Sequence, residues 1–157
     1  MEKGGKELKV SAIKNGTVLD HIPASQLFKV ISILGLKDCR NQITFGMNLD
    51  SKLLGKKAII KVADRFFEET EINKVALVAP EAKINIIKNF EVVEKKVLRV
   101  PDEIVGIVKC ANPKCITNHQ PVPTKFSTAY ENSELKLRCH YCEKNTSSDN
   151  LKIITEN

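Results

Sequence analysis

The chain has 157 residues, 42% of them hydrophobic and 28% charged, with a formal charge of +6, a profile of a soluble globular protein with room for one ordinary domain or two small ones. No apolar run approaches the ~20 residues of a membrane helix, and Met1-Glu-Lys-Gly-Gly-Lys-Glu lacks the apolar core of a signal peptide, so the expected setting is cytoplasmic with reduced thiols. The positive excess lies upstream: residues 1–109 carry 19 Lys+Arg against 14 Asp+Glu, whereas residues 110–157 carry 6 against 5.

From the N-terminus, Leu8-Lys-Val10-Ser-Ala12 alternates as a strand with one buried face, and Asn15-Gly16 reads as a turn after it. Val18-Leu19-Asp20-His21-Ile22 leads into Pro23, which suits a first helical turn. Leu27, Val30, Ile31 and Leu34 then recur at helical spacing up to Gly35, a good C-terminal cap. Residues 42–48 are strand-like, with Ile43, Phe45 and Met47 on one face; after a break at Asp50-Ser51 and Gly55, residues 57–63 form a second strand that should pair with them as a hairpin. Thr70 is the expected N-cap of a helix over 71–77 that turns Ile72, Val75 and Ala76 inward and is limited by Pro80. Residues 83–88 and 91–97 are two further alternating runs. The order strand, helix, strand, strand, helix, strand, with one extra strand, predicts an α+β, ferredoxin-like domain in which an antiparallel sheet carries its helices on one face. The pattern resets around Arg99-Val100-Pro101-Asp102, giving expected domains of 1–100 and 101–157.

Beyond that boundary, residues 104–109, 125–130, 134–138 and 151–154 are short strand candidates of a small all-β ribbon. Some fifty residues make a marginal core, which gives a physical reason for a metal. Cys110-Ala-Asn-Pro-Lys-Cys115 and Cys139-His-Tyr-Cys142 form two short knuckles that can present four soft donors to a tetrahedral zinc ion. Four thiolates would fill the shell and leave no open position for water, so the site should hold structure and not hydrolyse anything. Two disulfides, or four unrelated buried cysteines, are the weaker alternatives. Spacing alone also leaves open a three-cysteine set completed by His119 or His140, although His140 stands where the turn normally offers backbone N–H groups to sulfur. Cys39, far upstream in an apolar setting, reads as a small hydrophobe.

No Walker loop, G-x-G-x-x-G or H-E-x-x-H occurs, and no Ser or Cys nucleophile stands in a recognisable setting. A free-standing enzyme would have to use Asp20 and His21, but neighbours on an extended strand point to opposite faces. The other rival is a nucleic-acid-binding zinc ribbon; a pI near 9.1 favours it, while a nearly neutral ribbon and eight aromatic residues with no Trp count against it.

Five stretches point elsewhere: Gly16-Thr-Val-Leu-Asp-His-Ile-Pro23, Ile43-Thr-Phe-Gly-Met-Asn-Leu49, Ala79-Pro-Glu-Ala-Lys-Ile-Asn85, Asn89-Phe-Glu-Val-Val93 and Cys139-His-Tyr-Cys-Glu-Lys144. Together they make the chain closely resemble the aspartate carbamoyltransferase regulatory-chain family, collinearly from about Leu8 to the C-terminus, with matching ligand spacing at Cys110, Cys115, Cys139 and Cys142. The resemblance implies a non-catalytic subunit of pyrimidine biosynthesis. Its first domain would bind ATP and CTP, with UTP a further candidate, and pair two regulatory chains; its zinc domain would dock on the catalytic chain and link catalytic trimers. Carried over by position, the effector site would use Val10, Ser11, Ile13, Val18, Asp20, His21, Lys57, Lys61, Asn85, Ile87, Phe90, Val92 and Lys95. Lys95, Lys57 and His21 would face a triphosphate, Asp20 and Lys61 the ribose or base, Asn85 the base edge, and Ile13, Ile87 and Phe90 would wall it. The family is expected often to carry a carboxylate at the position of Ser11 and a tyrosine at that of Phe90, so effector preference is where this chain should differ. Asn112, Lys114 and Asn118 are the expected contacts to the catalytic chain.

Overall fold

Gly16 stands at φ 141°, and a Cβ there would collide with the Val62 carbonyl oxygen. Only glycine therefore opens strand β1 (Gly16–Pro23). That strand is the centre of a five-stranded antiparallel sheet in the computed structural model, which describes residues 12–148 and 151–154. The chain divides into two compact units, Met1–Arg99 and Val100–Asn157.

In the first unit β1 is followed by a single 3₁₀ turn (Ala24–Gln26), helix α1 (Leu27–Ile33), β2 (Ile43–Ser51), β3 (Gly55–Ala63), helix α2 (Glu69–Asn73) with a 3₁₀ extension (Lys74–Leu77), β4 (Lys83–Lys88) and β5 (Glu91–Lys96). The sheet order is β2-β3-β1-β4-β5, the split βαβ arrangement expected from the sequence with β5 as the extra strand. Ala58, Ile60, Val62, Leu19, Ile22, Ile84 and Ile86 are buried on one face, as are Leu27, Val30, Ile72 and Val75 of the helical segments. Each Val, Leu or Ile among them contributes about 1.5–3 kcal/mol by leaving water. Gly35, left-handed at φ 64°, follows α1 as its spacing predicted.

Several sequence expectations are corrected. The first described strand is residues 16–23, a run that the sequence reads as the approach to a helix; the expected strand at 8–12 lies, but for its last residue, outside the described part, and Asn15-Gly16 leads directly into a strand. The run 18–22 hid its strand character because an extra residue breaks the alternation: the register steps from Leu19↔Ile60 to Ile22↔Ala58, leaving Asp20 and His21 opposite Ile59. Helix α2 is capped by Glu68, not Thr70, through a capping box in which the Glu71 carboxylate accepts the Glu68 N–H at 3.0 Å. A Glu cap is outside the usual Ser/Thr/Asp/Asn preference, which is why Thr70 looked better.

The second unit contains β6 (Glu103–Val105), β7 (Val108–Lys109), β8 (Lys125–Glu131), β9 (Glu134–Cys139), β10 (Asn145–Ser147) and β11 (Lys152–Ile153). A four-stranded sheet runs β10-β9-β8-β6, and β11 pairs with β7. Residues 104–109 are two strands, not one, because Gly106 turns the chain at φ 72°. β10 carried only one buried residue, Thr146, and left no periodic trace in the sequence. Asn132 and Ser133, both at positive φ, make the two-residue turn between β8 and β9. No described helix is long and apolar enough to cross a membrane.

Candidate functional site

The helix-free face of the five-stranded sheet gathers most of the predicted effector residues. Direct cross-strand partners share a face, and the register aligns Thr44, Lys61, Val18, Asn85 and Lys95 in one row across β2, β3, β1, β4 and β5. Beside it Ala63, Gly16, Ile87 and Val92 form a second, apolar row, above which the Ile13 side chain comes close to Gly16. Ile87 is buried, although no described helix covers that face. On the other side of the charged row, the Lys57 ammonium pairs with the Asp20 carboxylate at 3.0 Å. Burial lowers the Lys61 pKa from 10.5, with Asp20 partly opposing the shift.

The bulge in β1 overturns the expectation that Asp20 and His21 point apart. With His21 left-handed at φ 59°, its backbone N–H donates to Asp20 Oδ1 at 2.6 Å and its Nδ1 lies 3.5 Å from the same oxygen. Nδ1 is buried without a hydrogen-bond partner. Asp20, His21 and Lys57 thus form one compact polar cluster at the edge of the charged row.

Phe90 and Val92 are exposed, not core. Phe90 and Asn89 occupy the β4–β5 turn, both left-handed at φ 68° and 52°, a conformation that costs a non-glycine residue about 1–2 kcal/mol. The preceding chain holds this turn: the Phe90 N–H donates to the Lys14 carbonyl at 2.9 Å, and the Asn89 N–H to Asn15 Oδ1 at 3.1 Å. Lys14 was not singled out by sequence, and Asn15 only as part of an Asn15-Gly16 turn. Val10 and Ser11 lie outside the described residues.

In the second unit the four cysteine sulfurs all lie within 4.8 Å of one another, with Cys110 to Cys142 and Cys115 to Cys139 both at 3.7 Å. A tetrahedron with metal–sulfur bonds of about 2.3 Å has sulfur–sulfur edges of about 3.8 Å, so the residues fit a closed four-thiolate site. The histidine alternatives do not join it: His119 Nε2 is 2.7 Å from the Pro113 carbonyl oxygen, and His140 stacks edge-on against Tyr141. Burial pushes the Cys110 thiol up to about 12 and raises Cys139. Burial also pulls upward on Cys142, but bonds from the Asn112 side chain, the Lys144 N–H and its neighbour sulfurs bring it down to about 7. Cys110 and Cys142, shifted in opposite directions, lie 3.7 Å apart, and a cation bound among the sulfurs would displace their thiol protons.

Backbone N–H groups of Asn112, Tyr141, Cys142 and Lys144 serve the sulfurs, as knuckles require. Thr117, which sequence reasoning passed over, places its hydroxyl 3.2 Å from Cys115 Sγ; its position two residues after a ligand was the available signal. Asn112 and Asn118 also brace the first knuckle, since Asn118 Nδ2 donates to the carbonyls of Cys110 at 3.1 Å and Asn112 at 2.8 Å. Lys114 is exposed beside them. Cys39, in the other unit, donates its thiol to Asn41 Oδ1 at 3.3 Å.

Two family models match the chain: aspartate carbamoyltransferase regulatory chain, allosteric domain, over residues 8–99, and the metal binding domain of the same chain over residues 102–152. Among relatives, the aspartate carbamoyltransferase regulatory chain of Bacteroides fragilis is 53% identical over 98% of this chain and 100% of its own length. That of Pyrococcus horikoshii is 54% identical over 92% and 96%, respectively.

Proposed function

The chain belongs to the family of aspartate carbamoyltransferase regulatory chains, non-catalytic subunits with an allosteric and a metal-binding domain, and from that premise we propose that its open sheet face binds ATP and CTP, with UTP a further candidate. The observation that supports this reading is the placement of an apolar row, a row bearing Lys61, Asn85 and Lys95, and the Asp20–His21–Lys57 cluster side by side on one face that no described helix covers. A nucleotide has the matching order of parts: a flat base, a ribose with hydroxyls for Asp20, and a polyphosphate for Lys57, His21 and Lys95. Ile13 and Phe90 would wall the base, and Val10 and Ser11, by their position in sequence, would complete that wall.

The metal is zinc, held by Cys110, Cys115, Cys139 and Cys142, and its role is structural: it supplies four bonds that cross-link two knuckles and, with four protein donors, has no place for a substrate. The metal-binding unit docks on the catalytic chain of aspartate carbamoyltransferase, with the exposed Lys114 beside the braced Asn112 and Asn118 as the first contacts to test. Two regulatory chains pair through the free edge of β2, where Phe28 and Phe45 stack edge-on at 6.4 Å and both are exposed with Met47. In the cytoplasm such dimers would bridge catalytic trimers. Nucleotides would then act through their differential affinity for two states of the assembly, a coupling of about 1–3 kcal/mol.

The test is aspartate saturation of the assembled enzyme with and without saturating ATP or CTP. A shifted curve is expected. Unchanged curves would reduce the chain to an assembly subunit, and failure to co-sediment with the catalytic trimer when loaded with zinc and reduced would remove the partner reading.

A further inference from the structure

Strand β3 runs between two bulges. On its β1 side Asp20 and His21 together stand opposite Ile59. On its β2 side Met47 and Asn48 stand opposite Ala58, because the register steps from Gly46↔Ile59 to Leu49↔Lys57. In each bulge the second residue is left-handed, His21 at φ 59° and Asn48 at φ 61°. An inserted residue bends its strand, increases local twist and re-aims side chains. Two insertions set against adjacent residues of one strand share a single distortion of that strand, so neither relaxes without altering the other. The β1 register resumes at Ala58, paired with Ile22, and the β2 register at the next residue, Lys57, paired with Leu49; Lys57 is also the partner of Asp20 at 3.0 Å.

We infer that Asn48 is a positioning residue for the Asp20–His21–Lys57 cluster, acting across β3. Its left-handed backbone holds the outer bulge, and the outer bulge keeps β3 in the shape that brings Asp20 and His21 to Lys57. Asparagine visits the left-handed region at low cost, whereas a β-branched residue does not. Residue 48 therefore controls the cluster from the far side of β3. Because β2 is an edge strand of the described sheet, a chain that pairs with it acts on the same bulge, and by reciprocity a ligand on the cluster acts on that pairing. The consequence for nucleotide binding rests on the function proposed above; the geometric coupling does not.

The test compares Asn48→Val, which disfavours the left-handed backbone, with Asn48→Gly, which accepts it, in the full-length zinc-loaded chain at matched oligomeric state. Two readouts are taken: the His21 amide resonance in nucleotide-free protein, reporting the 2.6 Å bond to Asp20, and ATP affinity by calorimetry. Asn48→Gly should keep both at wild-type values, and Asn48→Val should move the resonance and weaken ATP about fivefold or more. Should Asn48→Val not fold, Asn48→Ala replaces it, with the same direction and a smaller effect. A His21 resonance indifferent to residue 48, or equal ATP affinity in all variants, overturns the inference. A resonance that moves while the wild-type chain binds no ATP upholds the positioning role and overturns the nucleotide reading instead.

Discussion

In the first unit Leu19, Ile22, Leu27, Val30, Ile60, Val62, Ile72 and Ile84 are each no more than 2% exposed, contributed by three strands and the helices. In the second unit the side chains of Val size or larger buried to the same degree are Ile104, Val108, Phe126, Leu137 and Leu151, and the same unit holds the four clustered cysteines. The first unit carries the larger share of apolar burial, centred on one face of its sheet, and its other face bears the row of Lys61, Asn85 and Lys95. The second has too little, and uses its most reactive side chains as structure. On the function proposed above, the difference separates two tasks: a nucleotide would come and go on the first unit without unfolding it, whereas the metal of the second would not.

Removing zinc is the strongest way to break that contrast. Zinc binding to small domains is worth roughly 10–16 kcal/mol, so chelation should abolish amide-exchange protection in residues 100–157 while β1, β3 and β4 stay protected. Loss of protection throughout would show that the first unit does not stand alone. The converse experiment is Leu27→Ala, which should cost about 2–5 kcal/mol in the first unit's thermal or denaturant transition and leave zinc affinity unchanged. Lys57→Ala should weaken ATP by about tenfold or more, since a charge-assisted bond is worth about 1.5–3 kcal/mol, with little change in melting temperature. Phe90→Gly should stabilise the β4–β5 turn by about 1 kcal/mol, because the ring is 66% exposed and its backbone is left-handed, while weakening ATP; stabilisation without loss of ATP would take Phe90 out of the site.

The smallest expected effect is on pH. Burial lowers the Lys61 pKa from 10.5, and on the proposed function the negative charge of a nucleotide bound on the same face would raise it again. In the free chain this group costs stability below its folded value, and the cost disappears as pH rises through that value towards 10.5. ATP affinity should run the other way, falling as pH rises through the same window, with fractional proton uptake on binding measurable by calorimetry in two buffers. Uptake that persists unchanged in Lys61→Met would assign the proton to another group.

How much was legible in the sequence differs between the units in a physical way. Knuckle spacing depends on local backbone reach, so Cys110, Cys115, Cys139 and Cys142 were identifiable as a set from their sequence separations. Helix α1, the β2–β3 hairpin and strands β4 and β5 were legible because periods of 3.6 and 2 are written in side-chain type. Residues of the open face could be nominated by resemblance, but nothing local says that Lys61, Val18, Asn85 and Lys95 form a row, because register is settled by pairing between distant strands.

The sequence by itself therefore determined the fold class, the break near residue 100, the thiolate set and the family, all of which depend on local periodicity, spacing and collinear motifs. Only the tertiary structure decided that Asp20 and His21 lie together, that Phe90 is strained and exposed, that Thr117 serves a sulfur, and that two bulges meet across β3. A bulge is a mismatch of count between two strands, and no single strand contains it.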